Sequence, residues 1–154
     1  MPYRSKTVAA WLALLLGTLG AHRVYLHGRR DFWAWLHPLP TLAGLVGVVR
    51  IRNLGQDDHI AWALAPLLGL MIAVATLSAL IYALTPDEKW DAHHNPGLQG
   101  RTTAWGPVFA AIAALMLGGV GLMGAVAYGG QKFFEYQFEE ERQSGPQNKN
   151  RPIP

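Results

Sequence analysis

The residues in this chain with chemistry to offer are its six histidines and the carboxylates and cations beside them. His22 and Arg23 follow directly on an apolar run, in the order Gly17-x-x-Gly20-Ala21-His22-Arg23-x-Tyr25-Leu26, with Gly28 just beyond. An imidazole titrates near neutral pH, and a guanidinium can pair with a lipid phosphate or cap helix carbonyls. Tyr25 is amphipathic and suits a membrane interface. Set against hydrocarbon, the cluster is expected to be a positively charged turn that fixes orientation. Asp87, Asp91, His93 and His94 are metal-ligand types within eight residues. A metal site needs convergent geometry, and a Pro- and Gly-rich stretch is expected to be a solvated loop. His37 stands beside Pro38 and the Trp33/Trp35 pair, at headgroup depth; with Arg23 and Arg50 it is also the natural wall of a polar pathway. Glu139, Glu140 and Glu141 have no apolar setting to raise their pKa values and are expected on a solvated face. Gly118, Gly119, Gly121 and Gly124 sit in an apolar run where packing explains them, and they are not a phosphate loop. No residue is therefore assigned as catalytic, cofactor-binding or metal-ligating, and no cofactor is expected.

Apolar residues make up 51% of the 154 and charged residues 15%, against about 25% charged in an average soluble domain. The apolar residues come in blocks longer than a soluble core helix needs, which points to a multi-pass membrane protein. There is no cysteine, hence no disulfide framework and no thiolate site. The pI is near 9.5, yet Lys and Arg lie at the edges of the apolar blocks. There they act as topology signals and lipid contacts, and nucleic-acid binding is not expected.

Four helices are expected across the membrane, giving an all-α integral membrane bundle. Val8–Ala21 alone would span only about 21 Å of a core about 30 Å thick, so the first is expected to continue to Leu26, uncleaved. His27–Asp31 is then a basic turn, and Phe32, Trp33 and Trp35 form an aromatic belt. The second helix starts properly near Pro40 and ends at Arg50 and Arg52. The third covers Ile60–Leu84 and the fourth runs from about Trp105 to Tyr128, neither carrying a charge. The expected organisation is residues 1–54 as a helical hairpin, 55–130 as a second transmembrane pair with a polar loop at 85–103, and 131–154 as an interfacial helix with a disordered tail. Four spans put both termini on one side, which is expected to be the cytoplasm.

Small residues recur every fourth position: Ala9, Ala13, Gly17 and Ala21; Ala65, Gly69 and Ala73; Ala75, Ala79 and Ala83; Gly106, Ala110, Ala114 and Gly118; Gly121, Ala125 and Gly129. Such seams let helix backbones approach closely. They suit association with other membrane proteins or with a second copy of the chain.

Lys6, Ala9, Leu12, Leu16, Gly17, Gly20, Ala21, His22, Arg23, Tyr25, Leu26 and Gly28 together resemble the two-transmembrane (TM2) domain family over about residues 6–52. The resemblance implies a pair of membrane helices joined by a short loop, with the His-Arg-x-Tyr cluster closing the first helix. Val24 stands where the family has Phe, and His27 is an extra residue before the glycine. The resemblance implies no particular activity. The expectation is a non-enzymatic protein of a bacterial-type plasma (inner) membrane, with a structural or protein-interaction role and the lipid bilayer as its first partner. The alternative is a small transporter or channel subunit using His37, Arg23 and Arg50.

Overall fold

The computed structural model describes residues 3–98 and 102–144; Arg101 and, apart from Ser144, the disordered tail expected over 144–154 lie outside them. The described residues form helices α1 (Lys6–Leu16), α2 (Ala21–His27), α3 (Phe32–Leu36), α4 (Pro38–Leu54), α5 (His59–Leu84), α6 (Asp87–His94) and α7 (Gly106–Ser144). A single 3-10 turn, Gly17–Leu19, separates α1 from α2.

Three of these stretches are long and apolar enough to cross a membrane: α3 with α4 (Phe32–Leu54), α5, and the greater part of α7. The sequence suggested four, and the difference lies in the first apolar run. Helix α1 has 11 residues, about 17 Å, or roughly half of the hydrocarbon core. It does not continue to Leu26. The 3-10 turn ends on Gly20, whose φ of 77° is a left-handed conformation that a side chain resists. From there α2 climbs back beside α1. The Tyr25 hydroxyl accepts a hydrogen bond from the Ser5 amide at 2.9 Å, and Leu26 packs on Ala9 and Trp90. Residues 3–27 thus form a half-depth hairpin that enters and leaves on one face.

The chain then turns at Gly28 (φ 89°) and Asp31, whose carboxylate caps α3 by accepting from the Trp33 amide at 3.1 Å. Helix α4 begins at Pro38, two residues ahead of the start expected at Pro40. A proline in the first turn lacks only an amide that has no partner there. The stretch at 85–103, expected as loop, contains the short helix α6. Helix α7 passes from the apolar span through Gln131 without a break, so the aromatic and acidic residues beyond Tyr128 belong to the same rod.

The small-residue seams meet one another inside the bundle. Ala13 packs with Ala79 and Ala114, and Ala10 with Ala83, Ala110 and Ala111. A Cβ on Gly17 would lie 2.7 Å from the Ala75 Cβ, and one on Gly69 would lie 2.7 Å from the Ala125 Cβ. On α4, Gly44 and Gly47 let the backbone of α5 in so closely that a methyl group would overlap Leu68 and Ala65. With no hydrophobic force between helices in lipid, such proximity is what holds them together. Outward-facing positions are large and apolar: Leu42, Val46, Leu77, Ile81, Leu115, Met116, Val120 and Met123 are all exposed. A belt of that size suits contact with acyl chains.

With three crossings the two ends lie on opposite faces. Thr7 adjoins Gly106, and Lys6 reaches Thr85 at the end of α5; Lys132 lies by Asp57 on the far side. This replaces the shared side expected from four crossings. In a chain without cysteine, Arg4→Cys and Glu88→Cys should react with an impermeant thiol reagent from the same face, and Glu139→Cys from the other. Labelling of Arg4→Cys and Glu88→Cys from opposite faces would restore the four-span arrangement.

Candidate functional site

The motif residues read from the sequence converge on the hairpin and the polar collar above it. His22 is the most deeply placed, 1% exposed. Its ring lies edge-on to His37 at 5.7 Å between centroids and 5.9 Å from Tyr82. Its Nδ1 is buried with no hydrogen-bond partner among the described residues. His37 is more tightly tied, with Nδ1 2.6 Å from the Trp33 carbonyl oxygen. A carbonyl only accepts, so Nδ1 carries a proton and donates it. Gly17 shares this pocket, since a Cβ there would lie 3.6 Å from His22 Nδ1.

Gly20 makes the tip possible in two ways. Its φ is left-handed, and a Cβ would overlap the Ala34 carbonyl, so α3 lies directly against it. Thr41 then donates its hydroxyl to the Thr18 carbonyl at 2.7 Å, tying α4 to the underside of the turn. Gly28 needs only the positive φ, because nothing lies within 4 Å of its missing side chain.

Arg23 donates from Nε to Asp31 at 2.8 Å. That bond holds the Asp31 carboxyl below the usual carboxylate range. Arg50 makes a two-pronged pair with Asp58, at 2.5 Å and 3.0 Å, and depresses the Asp58 carboxyl in the same way. These two arginines therefore stand at opposite ends of α3–α4, each closed by an aspartate eight residues on. Between Thr41 and Arg50, α4 carries no polar side chain. Of the three residues read as walls of a pathway, His37 alone meets the His22 pocket.

The collar was not legible in the sequence. Lys6, 6% exposed, forms an ion pair with Asp87 and donates to the Thr85 carbonyl at 3.0 Å. Asp87 also accepts from Thr103, from the amide at 2.9 Å and from the hydroxyl at 2.7 Å. Trp90 Nε1 donates to the Arg4 carbonyl at 2.8 Å, and Asn95 holds both the amide and the carbonyl of Arg4. Helix α6 thereby clasps the amino-terminal segment. The same contacts disperse the residues considered as metal ligands. Asp87 faces Lys6, Asp91 accepts from Asn95 at 2.7 Å, and His94 stacks on Trp90 at 4.1 Å. Among the described residues no three His, Asp or Glu side chains come together as a metal-binding group.

Lys6 and Thr103 hold the Asp87 carboxyl down to about 2, from an ordinary 3.8. A depressed carboxyl stabilises the fold while it is ionised. That contribution is complete above about pH 4 and fades as pH falls towards 2. The thermal midpoint of the wild type in detergent should thus drop more steeply over this window than that of Asp87→Asn, which should start lower at neutral pH. Parallel curves for the two proteins would remove Asp87 from the collar. Gly20→Ala should cost about 2–4 kcal/mol, the left-handed φ and the overlap with α3 adding, and Gly28→Ala less, as judged by unfolding in mixed micelles.

No curated protein and no solved structure gives a match to the chain. The half-depth hairpin, its Gly-x-x-Gly tip and all but the last three residues of the first crossing fall within one matched region. Residues 2–51, at the amino-terminal end, match the family model described as TM2 domain.

Proposed function

We propose that this is a non-enzymatic membrane protein whose role is structural, holding a partner protein through the projecting end of α7. The observation that carries the reading is the length and surface of that helix. Its 39 residues measure about 58 Å, nearly twice the thickness of the hydrocarbon core. Beyond Tyr128 it bears Phe133, Phe134, Tyr136 and Phe138, each half exposed or more, followed by Glu139–Glu141. Lys132 anchors the base of this extension: its Nζ bonds Glu135 at 2.6 Å and lies 5.2 Å from the Trp62 ring centroid. A braced helix with aromatic side chains and an acidic end offers large apolar anchors at low entropic cost.

The small-residue seams contribute less to partner binding than their number in the sequence suggests, because most are packed against each other within the chain. Transport is the weaker reading, since Arg23 and Arg50 each spend their charge on a neighbouring aspartate. The setting we favour is a plasma membrane of bacterial type. Among the described residues Arg4, Lys6, Arg23, Arg29, Arg30 and Lys89 lie on the face where α1 starts, against Arg50, Arg52, Lys132 and Arg142 on the other, a small excess that favours a cytoplasmic amino-terminal face.

A photo-reactive phenylalanine analogue in place of Phe138, activated in native membranes, should give a discrete protein adduct. The same group at Leu115, on the lipid-facing belt, should give none. Lipid adducts alone at Phe138 would overturn the proposal and return the extension to the membrane surface.

A further inference from the structure

The hairpin fills only half the depth of the bundle, and the other half is left with a groove. The stripe of α5 that presents Ala83, Ala79 and Ala75 to α1 continues downward as Ile72, Gly69 and Ala65. No α1 lies there: α7 closes on Gly69 and Ile72 through Gly121 and Ala125, α4 closes on Ala65 through Gly47, and a groove stays open between α4 and α7. Helices α4 and α7 flank it, and the space between holds a cavity of about 280 Å³ walled by Val48 and Ile51 on one side and by Gly121, Gly124 and Tyr128 on the other.

Three features say what belongs in it. The first is length: Val120 to Tyr128 covers about 12 Å of helix rise, close to one leaflet of a core about 30 Å thick. The second is the Tyr128 hydroxyl, which is buried at the outer end of the groove with no hydrogen-bond partner among the described residues. A hydroxyl removed from water in this way calls for an acceptor. The third is Arg52, one helical turn past Val48 and exposed, with no acidic partner among the described residues. An apolar slot one leaflet deep, with a hydroxyl donor and a cation at its mouth, is complementary to a phospholipid.

We propose that this groove is a binding site for a single phospholipid of the leaflet on the Lys132 side. One acyl chain lies along Gly121 and Gly124, an ester or phosphate oxygen accepts from Tyr128, and Arg52 faces the phosphate. The lipid takes, in that leaflet, the place that α1 takes in the other.

Gly124 provides a clean test, because a Cβ there meets nothing within 4 Å, so a larger side chain fills the groove without disturbing a helix contact. The full chain is placed in phosphatidylcholine vesicles containing phosphatidylglycerol spin-labelled near the chain terminus. Wild type should immobilise about one more labelled lipid per chain than Gly124→Leu. Tyr128→Phe should weaken the retained lipid three- to tenfold, as expected for one hydrogen bond, and Arg52→Gln should reduce the salt sensitivity of binding. Equal immobilisation by wild type, Gly124→Leu and Tyr128→Phe would overturn the proposal. So would efficient chain-to-chain cross-linking of Gly124→Cys in the same vesicles, which would assign the groove to a second copy. Should Gly124→Leu fail to fold, Tyr128→Phe alone decides by the same readout.

Discussion

Inside a bilayer a backbone amide or carbonyl has no water to turn to, and the tip of the hairpin, Gly17–Gly20, is where this chain must satisfy that requirement away from a regular helix. It does so with local bonds and one side chain. The Gly20 amide donates to the Gly17 carbonyl at 3.0 Å, the Gly20 carbonyl accepts from Arg23 and Val24, and the Thr41 hydroxyl covers the Thr18 carbonyl. Every other feature of the amino-terminal third follows from this turn being tolerable at depth. Because it reverses there, His22 is buried rather than interfacial, Tyr25 returns to Ser5, and α3–α4 becomes the first true crossing.

Much of this was legible in the residues. The helical class, the two long uncharged spans and the TM2 motif all rest on strong local signals: unbroken apolar length, and glycines, a His-Arg pair and a tyrosine at fixed spacing. The count of four crossings is the part not matched, since three helices among the described residues are long and apolar enough to cross. An apolar run that continues to Leu26 looks the same whether it goes through or turns back, since φ at Gly20 is not written in composition. The seam pattern was equally clear and equally incomplete. A small residue every fourth position marks a close contact without naming the partner, and here the partners are the other seams of the same chain.

The collar shows a different limit. Lys6 and Asp87 are far apart in sequence and each has an ordinary local reading, as a topology signal and as a loop acid. Their pairing, and the hold of Asn95 and Trp90 on Arg4, exist only because α5 returns the chain to the face it started from. The residues considered as metal ligands are arranged by the same winding of α6: Asp87, Asp91 and His94 engage Lys6, Asn95 and Trp90, while His93 lies edge-on to the His94 ring.

The short first helix also has a bearing on the order in which the molecule is built. Eleven residues cannot cross a bilayer, and every surface that α1 packs on in depth belongs to helices made later: Ala75, Ala79 and Ala83 of α5, then Ala110 and Ala114 of α7. Until those have been inserted, α1 has only α2 beside it and a membrane surface to rest on. Helix α1 thus reaches its final place only after α5 and α7, which are synthesised later, and the Lys6–Asp87 ion pair closes over it.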